Sequence, residues 1–415
     1  MKSRFSIFYN SYYENGLIID KIENVSYVIN RGHYLSLLFL KRDKFVSSET
    51  TDYPKILQET ITFCKEKKLI EELSEISFNV FSEKIPLKTV QLQITSRCNL
   101  RCKHCYIGDY DSSLKIEDVL GIVDEAKKMG VVNFDLTGGE PLAYKGIEKV
   151  IKSILDNGMK TVIFSNAMRI PDGVKSLIKN YSGISMKVSL DGWDEESHDY
   201  IRGKGNFRKT MENIEFLKEN SVPLFINVVL NSKNIKGMDK FIKLSESLNI
   251  PFIFDRFIPF ARNTYLSISD EDYIQALIRY DKFKFHCDKT TLKNADLSEF
   301  YCGAGNSYVY INSIGDVGFC PTLSTANFCG GNVLKQSLSS IWNDSVFFNH
   351  IRNIRCSLYS LCPVNYFCKG GCRSRGEFFG SDITSPDLQI CKLAYKITGI
   401  YPASFSGGFV NDNWI

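Results

Sequence analysis

The chain has 415 residues, 44% of them hydrophobic, and a formal net charge of +4 at neutral pH. That length supports two or three domains with a sizeable core, and so small a charge gives no electrostatic reason to bind nucleic acid or an anionic membrane. The opening MKSRFSIFYN has a basic start but no sustained apolar region, and the densest apolar run, YLSLLFL, is too short to span a bilayer.

The expectation is therefore a soluble cytoplasmic protein, in which thirteen cysteines need a reason other than disulfides. Before residue 86, GLIIDKIENVSYVINRG reads as short strands around a turn, and YPKILQETITFCKEKKLIEEL as a helix ending in a wing-type hairpin. The middle of the chain alternates. Strand-like runs at 88–95, 131–137, 160–165, 184–190, 223–230 and 251–257 are separated by amphipathic stretches. In SSLKIEDVLGIVDEAKKMG the apolar Ile116, Val119, Leu120 and Val123 follow helical spacing; Ser113 can cap the start and Gly130 can end the helix in a left-handed conformation. Six such units argue a parallel sheet, curled into a partial barrel or doubly wound, with the polar, glycine-rich punctuation after each strand marking the ligand-binding edge. Beyond about residue 300 the chain turns cysteine- and glycine-rich, with few long periodic segments. Such a region is expected to be held by metals more than by its core.

The segment QLQITSRCNLRCKHCYIGDY places Cys98, Cys102 and Cys105 on one turn after a strand. Three thiolates on a four-iron cluster leave one iron open to chelate a small molecule, as catalytic metal sites keep a vacant position. The spacing C-x3-C-x2-C closely resembles the radical S-adenosylmethionine (radical SAM) enzymes, and further motifs follow in the order that resemblance requires. The resemblance implies a partial (β/α)6 barrel in which the methionyl group occupies the open iron and is cleaved to a 5′-deoxyadenosyl radical. It implies cofactor contacts from Gly138, Gly139 and Glu140 in GGEP, Asn166 in SNA, Ser189 in SLDG and Arg202 in HDYIRGKGNF, the last facing the methionyl carboxylate. Asp191 is expected to serve the turn.

The later cysteines resemble the SPASM extension found on radical SAM enzymes that modify peptides and proteins. Cys302 and Cys320 bracket Gly315 in the C-x12-G-x4-C pattern, and Cys362, Cys368 and Cys372 keep the x5 and x3 spacings. One position departs: Tyr359 stands where the family has a cysteine, and Cys356 lies three residues upstream. The family's wiring implies one auxiliary cluster on Cys302, Cys320 and Cys372; since Asp296 stands where a cysteine often does, its fourth position falls either to Cys287 or to an open iron used for substrate. A second would use Cys356, Cys362, Cys368 and Cys391. With the SAM-binding cluster this makes three 4Fe–4S clusters. Cys64 and Cys329 read as small buried hydrophobes.

The expected organisation is a winged-helix-like α+β domain at 1–85, a radical SAM barrel at 86–285 and a SPASM domain at 286–415. What the resemblance implies is an oxidoreductase that abstracts hydrogen from a ribosomal precursor peptide to form a thioether, carbon–carbon or other modification. The N-terminal domain would capture the leader by strand addition, and flavodoxin or ferredoxin would supply electrons. Two other readings are an anaerobic sulfatase-maturing (formylglycine-generating) enzyme and a non-catalytic iron–sulfur binding protein. No partnership with nucleic acid or membrane is expected.

Overall fold

A computed structural model describes residues 5–10, 15–20, 25–30, 33, 36–37, 40, 55–67, 69, 78–81, 86–107, 111–258, 263–280, 302–324, 326–400 and 402–405. The chain divides into two compact units, Met1–Lys84 and Ile85–Ile415. The calls on Cys287 and Asp296 lie outside the described residues.

In the first unit, β1 (Phe5–Asn10), β2 (Asn15–Asp20) and β3 (Val25–Asn30) form an antiparallel meander. Helix α1 (Lys55–Glu66) follows, and β4 (Phe78–Phe81) then joins β1 in parallel, giving the order β3-β2-β1-β4. Where the sequence suggests a hairpin after the helix, the described residues show this single returning strand. Leu37, Leu40, Ile61 and Leu69 are buried, and so is Cys64, whose thiol burial pushes up to about 12. A thiol so hard to ionise behaves as a small hydrophobe.

The second unit is built on parallel strands: β5 (Thr89–Thr95), β6 (Asn133–Gly138), β7 (Lys160–Ser165), β8 (Ile184–Ser189), β9 (Leu224–Leu230) and β10 (Phe252–Arg256). Each pairs with the next in chain order, without the reversal that marks a doubly wound sheet. Every crossover therefore winds the same way, and the sheet curls into an open (β/α)6 barrel. Burial alternates along β6 to β9, whereas β5 is buried on both faces after its first residue. Phe134, Leu136, Ile163, Met186, Val188, Ile226 and Val228 are sealed on the helix-facing side, and Asp135, Thr137, Val162, Phe164, Lys187 and Asn227 between them are half-buried on the concave side.

Helix α2 (Ile116–Lys128) carries Glu117 and Asp118 in its first turn and Lys127 and Lys128 in its last, complementing the helix dipole. Gly130 lies just past its end with φ +79°, as expected for a left-handed stop. The expected cap does not form. Lys115 occupies the N-cap position, and Ser113 instead meets Thr95, hydroxyl to hydroxyl at 2.5 Å, tying the loop before the helix to the end of β5.

Beyond the barrel, β11 (Tyr308–Ile311) pairs in parallel with β5, and β12 (Asp316–Gly318) and β13 (Cys329–Asn332) extend the same sheet antiparallel to nine strands. Tyr308 donates a hydrogen bond to Gln91, and Tyr310 to Gln93 at 2.5 Å, so the added strand satisfies two amides that β5 aims away from the helices. Short helices complete the unit, among them α3 (Arg373–Phe379) and α4 (Leu388–Thr398). Among the described residues no helix is long and apolar enough to cross a membrane.

Candidate functional site

The loop carrying Cys98, Cys102 and Cys105 leaves the C-terminal end of β5, the edge where parallel α/β folds place their chemistry. The three thiols lie within electrostatic reach of one another. Burial pushes Cys98 up to about 11 and raises Cys102, although the Arg202 guanidinium opposes the second shift. A metal that binds them must displace protons.

The loop after β6 is fastened directly to this turn. Gly139 N–H donates to Thr95 O at 2.8 Å, and Glu140 N–H to Arg97 O at 2.9 Å. A Cβ on Gly139 would stand 2.3 Å from Ser96 O and 2.4 Å from Arg97 O; one on Gly138 would stand 2.6 Å from Thr95 O. The paired glycines are thus required by contact with the cysteine loop's own backbone. Glu140 is buried and accepts from Leu142 N–H (3.0 Å), Ser165 Oγ (2.8 Å) and Asn166 N–H (2.8 Å). Burial raises its pKa, against the pull of these donors. Asn166 donates through Nδ2 to Asn99 Oδ1 at 2.9 Å, joining the end of β7 to the cysteine loop. Ser189 ends β8, half-buried.

The residue expected to serve only a turn proves to be a hub. The Asp191 side chain has no exposed surface. Its Oδ2 accepts from Arg202 Nε at 2.5 Å and from His104 Nε2 at 2.6 Å, and its Oδ1 accepts from Val229 N–H at 2.7 Å. Burial alone would raise its pKa, but Arg202 and His104 hold the carboxyl well below the usual carboxylate range. Arg202 ends the helix Glu195–Arg202, with Nη1 3.9 Å from Cys102 Sγ. One carboxylate thereby links the cysteine loop, through His104, to the ends of β8 and β9. The signal available in the sequence was the DGW…H…R spacing, but nothing in it fixed which partner Asp191 would take.

The C-terminal cysteines separate into two groups. Cys302, Cys320 and Cys372 lie within electrostatic reach of one another, and burial pushes Cys320 up to about 11. Thr322 Oγ1 lies 3.0 Å from Cys320 Sγ and donates to Ser374 Oγ at 2.9 Å, itself 3.4 Å from Cys372 Sγ. Cys356, Cys362, Cys368 and Cys391 line one small pocket together with Tyr359. Two tight turns, Tyr359 N–H to Cys356 O (2.8 Å) and Cys362 N–H to Tyr359 O (3.4 Å), fold the intervening residues so that Cys356 returns to the group. Between Cys368 and Cys372, Lys369, Gly370 and Gly371 all take positive φ, a reversal that sends these two cysteines to different groups. Cys329 joins neither. It is half-buried rather than sealed, and its thiol donates to Gly331 O at 3.1 Å. Among the described residues no three His, Cys, Asp or Glu side chains stand close enough to hold a single ion. The donor set suits a multi-iron cluster, whose thiolates stand further apart than those around one ion.

Known proteins resemble this chain in sequence and in fold. The profile of the radical SAM superfamily matches residues 92–244, and that of the SPASM iron–sulfur cluster-binding domain matches residues 302–369. Mycofactocin maturase MftC of Mycolicibacterium smegmatis is 26% identical over 71% of this chain and 80% of its own. The AdoMet-dependent heme synthase of Methanosarcina barkeri is 23% identical over 69% and 91%. The crystal structure of Streptococcus suis SuiB bound to S-adenosylmethionine superposes with a TM-score of 0.62 at 17% identity, covering 92% of this chain and 97% of SuiB. Three thiols on the β5 loop, a half-barrel of parallel strands behind them and cysteines grouped beyond it accord with these matches: the chain carries a radical SAM domain over residues 92–244 and a C-terminal SPASM iron–sulfur cluster-binding domain over residues 302–369.

Proposed function

We propose that the protein is a cytoplasmic peptide maturase, an oxidoreductase that uses S-adenosylmethionine to modify a ribosomal precursor peptide. The observation that carries the reading is the loop of three, and not four, clustered thiols at the open edge of a half-barrel. In this reading Cys98, Cys102 and Cys105 hold one 4Fe–4S cluster; Cys302, Cys320 and Cys372 a second; and Cys356, Cys362, Cys368 and Cys391 a third. Bound S-adenosylmethionine and the first cluster supply a 5′-deoxyadenosyl radical that abstracts hydrogen from substrate. Gly138, Gly139, Glu140, Asn166, Ser189 and Arg202 orient the cofactor, Glu140 and Asn166 by bracing the loop and Arg202 by its buried positive charge. Half-buried polar side chains on the barrel's concave face, Asp135 and Lys187 among them, receive the reacting part of the peptide. Residues 1–85 capture the leader, which raises the local concentration of the core peptide, and a flavodoxin or ferredoxin serves as reductant.

Support for a peptide substrate comes from relatives. MftC is a maturase by name, and SuiB has been crystallised bound to precursor peptide SuiA. The test is to co-express a short open reading frame neighbouring the gene and measure the peptide's mass. A mass change that requires Cys98, Cys102 and Cys105 is expected. Reductive cleavage of S-adenosylmethionine with no modification of any such peptide would favour a sulfatase-maturing or heme-synthase-like activity. No cleavage at all would reduce the protein to a non-catalytic iron–sulfur carrier.

A further inference from the structure

The cysteine loop carries more than its thiols. Between Cys102 and His104 it places Lys103, exposed to solvent yet fixed on three sides. The Lys103 N–H donates to Ile201 O at 2.9 Å, and its carbonyl accepts from Asn263 Nδ2. Its ammonium lies 3.4 Å from the centre of the Tyr200 ring. Lys233, from the loop after β9, brings a second ammonium to the same ring at 5.8 Å. Beside it Ser232 Oγ donates to Tyr265 O at 2.7 Å, and the two phenols, Tyr200 and Tyr265, lie within reach of one another. These rings stay 41% and 53% exposed. Loops after β5, β9 and β10 and the helix Glu195–Arg202 thus meet in one patch of two cations and two open rings.

Gathering like charges on one ring costs repulsion, and among the described residues no carboxylate pairs with either ammonium. The acids of the neighbouring helix are engaged or turned elsewhere. Asp199 accepts from the N–H groups of Asn206 (3.2 Å) and Phe207 (2.9 Å), Glu195 pairs with Arg208 at 3.5 Å, and the exposed Glu196 is drawn to neither lysine. Cations held over aromatic faces that remain open to solvent are arranged to meet an anionic surface. We propose that this patch docks a small acidic flavoprotein of the flavodoxin class, and that the electron for the first cluster enters there. Charge complementarity selects an acidic carrier. The place selects an electron carrier, because whatever touches Lys103 stands one residue from Cys102. The open tyrosine rings select a flavin, whose planar edge can lie against them. In the transfer the anionic flavin hydroquinone gives up one electron and becomes the neutral semiquinone. The 4Fe–4S cluster gains that electron, and no bond or proton is involved. The inference rests on the reading of Cys98, Cys102 and Cys105 as a cluster site.

The experiment uses full-length protein, reconstituted anaerobically, and measures 5′-deoxyadenosine formed with two reductants. One is saturating dithionite, which needs no docking site; the other is a limiting amount of flavodoxin kept reduced by its NADPH-dependent reductase. A wild type that forms none with dithionite fails the cluster reading itself and is told apart at this point. In iron-loaded Lys103→Glu with Lys233→Glu, the flavodoxin-driven rate should fall about tenfold at low salt, and the dithionite-driven rate should stay within about twofold. Lys103→Arg with Lys233→Arg, which keeps both charges, should stay within about threefold of wild type with either reductant. Raising the ionic strength to about 0.3 M should slow the flavodoxin-driven wild type and erase most of its advantage over the reversed variant. A flavodoxin-driven rate unchanged by charge reversal or indifferent to salt would overturn the proposal. So would an equal loss with dithionite, or a loss seen only when a ferredoxin replaces the flavodoxin. If the double variant loads iron poorly, Lys233→Glu alone decides, since Lys233 lies off the cysteine loop. A loss of about threefold confined to flavodoxin supports the proposal, and no loss overturns it.

Discussion

The two cysteine regions are supported in opposite ways. Around Cys98, Cys102 and Cys105 the scaffold comes first. The loops after β5, β6, β7 and β8 are braced by one another and by two buried carboxylates, Glu140 and Asp191, over a half-barrel whose helix-facing residues are sealed. Around Cys356–Cys391 there is little scaffold to lean on. One local core consists of Val364, Cys368 and Ala394, with Cys362 and Ile390 packed against it, so two of its five members are themselves metal-binding candidates. On the proposed reading the barrel folds and then offers a site, whereas the C-terminal region is expected to depend on its site to fold.

The largest effect that can break this comparison is chemical. Changing Cys98, Cys102 and Cys105 together to Ala should abolish 5′-deoxyadenosine formation and remove about four irons. The thermal midpoint should move by no more than about 4 °C, because the barrel does not need this cluster to fold. A collapse of the barrel in the triple variant would show that both regions are metal-dependent.

Next in size is the reverse experiment. Cys362→Ser with Cys368→Ser should cost far more structure than activity alone reveals. By hydrogen exchange, residues 356–400 should lose protection while β5–β9 keep theirs. Protection retained in both places would overturn the contrast.

A smaller effect tests the brace. Asp191→Asn leaves Arg202 buried without its counter-charge, a change expected to cost about 3–5 kcal/mol. Denaturant unfolding measures it, and S-adenosylmethionine affinity should weaken with it as His104 and Arg202 lose their common anchor. A loss below about 1 kcal/mol would mean that the loop is held by its main-chain bonds.

The smallest prediction concerns pH. Burial pushes the half-buried Asp135 carboxyl up to about 6, against the hydrogen bond from Asn133 and the charge of Lys187. A carboxyl raised in the folded state binds its proton more tightly there than in the unfolded chain. Its contribution to stability is therefore complete below about pH 4 and lost as pH rises through about 6. Asp135→Asn should remove this slope, leaving the variant relatively more stable at pH 7.5 than at pH 5, by on the order of 2 kcal/mol. Parallel unfolding curves at both pH values for wild type and variant would refute it.

Much of the barrel was legible in the sequence because strand and helix periods are local signals. All six strands appear within two residues of their expected ends, and Gly130 ends its helix as its position suggested. The failures are tertiary. Ser113 had the chemistry of a cap, but Thr95 lay close enough to claim it. Asp191 sat in a turn motif, yet its three partners are 87, 11 and 38 residues away. Glycines were informative in kind but not in cause: Gly138 and Gly139 were expected to admit the cofactor, and the close approach they make is to the backbone of Thr95, Ser96 and Arg97.

The pairing of β11 with β5 has a consequence for how such a protein can be cut or recombined. Two regions matched by separate family profiles are joined through one continuous sheet. Ending the chain near residue 285 would strip β5 of its neighbour and leave the side-chain oxygens of Gln91 and Gln93 without the tyrosine donors that satisfy them. A bare edge of that kind invites aggregation, so the isolated barrel is a poor expression target. Chimaeras that exchange C-terminal regions between relatives need to carry the tyrosines and the glutamines as a matched set. The unit of inheritance is the seam, and modularity stops there.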